Sequence, residues 1–163
     1  MRQPIGSEPQ GRRLAERIGQ TMKVKIKRID QSLSLPKYET AGACCFDMYS
    51  RETMAIGPNK VELLPSNLII EVPEGYMLIV ASRSSAPRKK GLLIPHGIGI
   101  VDQDYNGPED EIVIQVLNFT EKEVVVQRGE RIAQGCIVPI EKVEFEEVER
   151  IGEISRGGVG STG

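Results

Sequence analysis

EIVIQVLNFTEKEVVVQRGERIAQGCIVP, residues 111–139, is the stretch that decides the fold class. It contains three runs of β-prone residues, at Glu111 to Asn118, Glu123 to Val126 and Ile132 to Val138. Polar turns such as Arg128-Gly129 separate them, and Pro139 closes the last. A parallel pair needs a crossover of about a dozen residues or more, and no gap here is that long, so the strands must run antiparallel.

Outward from this stretch the same pattern repeats. Val61 to Leu64, Leu68 to Val72, Tyr76 to Ala81 and Val143 to Val148 read as further strands, with Pro58, Pro65, Pro73 and Pro95 punctuating the gaps. Met22, Val24 and Ile26 alternate with Lys23, Lys25 and Lys27, which predicts a strand starting at Met22 with three apolar side chains on one face. One short helix is predicted from about Ser85 to Lys90, with Ser85 at the cap, Pro87 in the first turn and Gly91 at the exit. The expected fold is therefore all-β, an antiparallel β-sandwich or jelly roll with one short helix.

Composition agrees. The chain has no Trp, three Phe and four Tyr, so its core must be aliphatic. At 163 residues it suits one domain. Residues 1–21, rich in Arg, Gln, Gly and Pro, read as a flexible N-terminal extension. Residues 22–152 read as the β domain, and 153–163 as a mobile Gly-rich tail. The net charge of -2 provides no general field to attract nucleic acid or an anionic membrane. No apolar run approaches the roughly 20 residues of a membrane span. Cys44, Cys45 and Cys136 read as buried, reduced thiols, and a single His leaves too few soft ligands for zinc; a cytoplasmic protein is expected.

Four segments carry chemistry-bearing side chains. Ser82-Arg83-Ser84-Ser85-Ala86 places a guanidinium and hydroxyls before the helix, a donor set suited to phosphate, although a plain helix cap looks the same. Gly97-Ile98-Gly99-Ile100-Val101-Asp102-Gln103-Asp104-Tyr105 reads as a hairpin; if it is extended, Asp102 and Asp104 share one face and Tyr105 takes the other. There a carboxylate can accept a proton from water and a ring can support a sugar, yet Asp and Gly are also ordinary turn residues. Arg128 to Gln134 offers Arg131 and Gln134 as donors. In Ala43 to Met48 a single Asp47 sits in an apolar run, where it needs a partner such as Arg131.

Together with the tail ending Gly160-Ser161-Thr162-Gly163, these segments resemble, in order, the five motifs of the trimeric dUTP diphosphatases, over roughly residues 22–163. The resemblance implies hydrolysis of dUTP to dUMP and pyrophosphate, limiting uracil in DNA and supplying dUMP. It implies Asp102 as the base that activates water at the α-phosphorus. Arg83, Ser84, Ser85 and Gln134 correspond to phosphate contacts. Gly99, Ile100 and Val101, with His96 nearby, correspond to the uracil-reading wall, and Tyr105 packs under the deoxyribose. Mg²⁺ is the implied cofactor, and Asp47 either reaches it through water or simply pairs with Arg131. A homotrimer is implied too, with sites at subunit boundaries, each closed by a neighbour's tail through Arg156, Val159, Gly160 and Ser161.

Three positions depart from the family pattern: His96 stands in place of Asn, Val159 in place of the Phe that stacks on uracil, and Arg156 lies two residues closer to the terminal Gly. Either a shortened loop still brings Arg156 to the γ-phosphate, or that contact is lost. The competing readings are a dCTP deaminase or bifunctional dCTP/dUTP enzyme, and a nucleotide-binding regulatory protein on the same scaffold. The segment Asp102 to Tyr105 argues against the deaminase.

Overall fold

The computed structural model describes residues 22–155 and 157. It is an antiparallel β-sandwich of the jelly-roll type. One sheet orders β2 (Phe46–Tyr49), β11 (Arg131–Pro139), β6 (Tyr76–Ser82) and β8 (Ile98–Val101). The other orders β4 (Val61–Pro65), β9 (Val113–Asn118) and β7 (Leu92–Leu93). Two ribbons complete it, pairing β1 (Ile26–Arg28) with β5 (Leu68–Ile70) and β3 (Met54–Ile56) with β10 (Val124–Val126). Every pairing among the described strands is antiparallel.

Period-two patterning sets the inward faces. On β9, Ile114, Val116 and Asn118 are buried while Val113 and Gln115 face out. Met48, Leu78, Val80, Val101 and Ala133 from the larger sheet meet Leu64, Ile114, Val116 and Leu92 in one aliphatic core. The buried Asn118 is fully employed: its Nδ2 donates to the carbonyls of Ile56 (2.9 Å) and Lys122 (2.7 Å), and its Oδ1 accepts from the Thr120 N–H (2.9 Å), which fixes the turn into β10.

The helix forms where expected, α1 spanning Ala86–Lys90 with Ser85 at the cap. Gly91 ends it at φ 66°, and a Cβ there would lie 2.0 Å from Thr120 Cγ2, so both backbone and space require glycine.

Several expectations are corrected. Val143 to Val148 forms no strand: Phe145 is 91% exposed, and alternation without a sheet edge to pair with cannot build one. The first strand begins at Ile26 rather than Met22, whose side chain is exposed. Cys44 is exposed and Cys45 and Cys136 are half-buried, so the thiols are free but not sequestered. Residues 1–21 lie outside the described residues.

Candidate active site

Strand β6 organises the site, because the chemistry-bearing segments gather at its two ends. At the Ser82 end, Asp47 on β2 lies opposite Gln134 on β11, which in turn lies opposite Ala81. Arg131 is three residues from Gln134, and in a regular strand the two would face opposite sides. A bulge between Arg131 and Ala133 reverses that parity and sets Arg131 opposite Tyr49, on the Asp47 face. The buried Asp47 carboxylate then bridges two guanidinium groups, accepting from Arg83 Nε at 2.9 Å and from Arg131 Nη1 at 3.1 Å. Glu39 adds a contact to Arg131 at 3.3 Å. Sequence reasoning missed Glu39, which sits in a loop with no motif around it.

Ser82 is structural: its hydroxyl accepts from the Ile94 N–H at 2.9 Å and its carbonyl accepts from Gln134 Nε2 at 3.1 Å. Ser85 makes no side-chain capping bond, which leaves its hydroxyl for a ligand, and Ser84 is exposed. Arg83, Ser85, Lys89 and Lys90 line one cleft here. The two lysines were not anticipated; they belong to the basic last turn of α1, where they complement the carbonyl end of the helix.

The opposite end is bare by comparison. Val101 pairs with Leu78, so Asp102 emerges level with Met77 at the start of β6. Its exposed carboxylate has no hydrogen bond or ion pair to any described residue. The segment is not extended, as expected from the sequence, but turns over Gln103 and Asp104, with the Tyr105 N–H donating to the Asp102 carbonyl at 3.4 Å. Gln103 Nε2 pins this turn to the Tyr76 carbonyl at 2.9 Å. Nor is it one arm of a hairpin with the strand that follows: β8 pairs with β6, whereas β9 belongs to the other sheet. The hydroxyl of Tyr105 donates to the Glu111 carbonyl at 3.1 Å, holding a ring that is 40% exposed.

Between the two ends, Gly99 lies opposite Val80 and Ile100 opposite Ile79. His96, Gly99, Ile100 and Val101 line a second cleft, in which Val101 turns its side chain into the core. Arg156, Val159, Gly160 and Ser161 lie outside the described residues. Among the described residues no group of three His, Cys, Asp or Glu side chains could hold a metal ion.

From Met77 to Arg83 is six residues of extended chain, which at about 3.3 Å per residue separates Asp102 from Arg83 by roughly 20 Å. The cradle, the wall and the carboxylate open into three separate clefts of about 230, 350 and 340 Å³. Each is at or below the lower end of the roughly 300–1,000 Å³ range of small-molecule sites.

Comparison with known proteins places this arrangement. The family model described as dUTPase matches residues 31–163. A deoxyuridine 5'-triphosphate nucleotidohydrolase of Hydrogenobaculum sp. (strain Y04AAS1) is 38% identical over 145 residues, covering 87% of this chain and 99% of that protein. One from Helicobacter pylori (strain P12) is 38% identical over 144 residues, covering 87% and 97%. The crystal structure of dUTPase from Streptococcus mutans superposes with a TM-score of 0.68 at 33% identity, covering 74% of this chain and 98% of that one. The dUTPase of Staphylococcus bacteriophage 80alpha with dUPNHPP gives 0.76 at 25% identity, covering 88% and 99%. Fold, ordered motifs and relatives spanning most of its length agree, and the chain belongs to the dUTPase family, enzymes that hydrolyse dUTP.

Proposed function

We propose that the chain hydrolyses dUTP to dUMP and pyrophosphate at sites shared between subunits of a homotrimer. The observation that carries this reading is the roughly 20 Å between Asp102 and Arg83 of one chain, too far for both to act on neighbouring phosphates. A site that uses both must take them from different subunits.

In such a site Asp102 takes a proton from water as the water oxygen bonds to the α-phosphorus and the bond to the bridging oxygen breaks, releasing pyrophosphate. An unpaired, exposed carboxylate can hold that water. Arg83, Ser84, Ser85 and Gln134 bind the phosphates. Asp47 holds Arg83 through Nε alone, and a guanidinium has further donors to offer. Backbone groups of β8 read uracil, with Tyr105 beneath the sugar and Arg156, Val159, Gly160 and Ser161 closing the site as a tail.

Both Asp47 oxygens are occupied by guanidinium groups, so Asp47 fits Mg²⁺ only through water. The ion would arrive on the triphosphate, held by phosphate oxygens and water, and would neutralise charge on the leaving group. A homologous phage phi11 dUTPase is described with a structural Mg(II) ion. No described helix is long and apolar enough to cross a membrane, and free half-buried thiols suit the cytoplasm.

The test is complementation. Asp102→Asn and Arg83→Ala should each be nearly inactive alone. When they are unfolded together and reassembled, sites that join the intact Asp102 of one chain to the intact Arg83 of another should restore pyrophosphate release. A mixture no more active than its components would overturn the shared site.

A further inference from the structure

His96 is the one titratable side chain in the cleft beside β8, and its contacts are specific. Its Nδ1 lies 2.6 Å from the Ile98 carbonyl. A carbonyl only accepts, so Nδ1 must carry the proton. In the other direction, the Ile98 N–H donates to the His96 carbonyl at 3.1 Å, closing a three-residue turn around Gly97 at φ 82°. One residue therefore engages both backbone groups of Ile98.

That has a consequence along the strand. β8 is the edge of its sheet, with β6 on one side only. In an antiparallel strand the N–H and C=O of one residue point the same way and those of the next point oppositely. With the Ile98 pair turned to His96, the Gly99 pair faces β6 and the Ile100 pair faces outward. Ile98 and Ile100 would otherwise offer two equivalent docking positions one strand repeat apart.

We propose, resting on the dUTP reading above, that His96 is a positioning residue for the base. By occupying Ile98 it leaves the N–H and C=O of Ile100 as the reading pair and so fixes where along β8 a uracil ring docks. The Ile100 C=O accepts the imide N–H and the Ile100 N–H donates to an adjacent ring carbonyl. Cytosine presents the reverse pattern and leaves both unsatisfied. A side-chain amide at position 96 can donate to the same carbonyl two residues on, so asparagine is the conservative replacement.

Two measurements test this. In steady-state kinetics, His96→Ala should raise KM for dUTP about tenfold, lower kcat less than about threefold and shrink the preference for dUTP over dCTP, with His96→Asn restoring most of each. Unchanged KM and preference in His96→Ala, or no rescue by Asn, would overturn the proposal. Nitrogen-15 spectra of the wild-type ring should show neutral His96 protonated at Nδ1. Protonation at Nε2 would overturn the clasp even if the alanine variant fails to fold. Failure of the wild type to bind a non-hydrolysable dUTP analogue would instead remove the substrate reading and leave the clasp to the spectra.

Discussion

At the Ser82 end of β6 one buried carboxylate ties two arginines, a glutamate reinforces the second, and each guanidinium is already oriented. At the Tyr76 end Asp102 stands exposed and alone. The difference follows from the two tasks. A phosphate cradle must hold positive charge in place before the ligand arrives, and a buried counter-charge keeps that assembly from repelling itself. A general base must keep its lone pair for water, and an arginine partner would occupy it. The chain orders the first and leaves the second open.

The contrast can be broken from either end. Asp102→Asn keeps shape and removes the base, and turnover should fall on the order of 10³-fold with binding of a non-hydrolysable analogue retained, as calorimetry would show. Comparable turnover in the variant would return Asp102 to the status of a turn residue. Arg83→Ala removes one donor from the cradle and should cost roughly 100-fold in kcat/KM. A loss confined to thermal stability would make the arginine merely the partner of Asp47.

Gly99→Ala probes the wall between the two ends. An added Cβ would meet Val80 Cβ at 3.4 Å and His96 Cε1 at 3.7 Å, ordinary contacts that the fold accepts. The melting temperature should hold while KM for dUTP rises roughly tenfold, because the methyl fills space the base needs. A lowered melting point with unchanged KM would mean the glycine serves the strand.

The smallest expected effect lies outside both ends. Asp30 accepts from Arg128 Nη2 at 2.5 Å and from the Ser32 N–H at 2.8 Å, and the guanidinium holds its carboxyl well below the usual range. A depressed folded-state value stabilises the protein above the ordinary carboxylate pKa of about 4, and the benefit fades as pH falls through the folded-state value. Asp30→Asn should lower the melting temperature slightly at neutral pH, by less as the medium becomes more acidic, and leave turnover alone. A change in turnover would tie this surface pair to the site.

Much of this was legible in the sequence, and for identifiable reasons. Strands β4, β6, β9 and β11 announced themselves because each has a face to bury, and α1 because Ser85, Pro87 and Gly91 bracket it. The segment Val143 to Val148 misled because alternation records only that a residue run suits a sheet, while strand formation also needs an edge. The turn at Asp102 to Tyr105 was hidden because the Gln103 bond to Tyr76 that makes it spans 27 positions. Asp47 was correctly given Arg131 as a partner, but its second arginine, Arg83, comes from another strand's end and left no local trace.

The bulge in β11 makes this stretch sensitive to length in a way it is not sensitive to identity. Substituting Ile132 alters packing by degrees, but deleting it would restore regular alternation and turn Arg131 from the Asp47 face toward the aliphatic core. Point changes here are graded, whereas a single-residue indel is all or none. Among descendants of this chain, the residue count between Tyr49's partner and Gln134 should drift far more slowly than the residues that fill it.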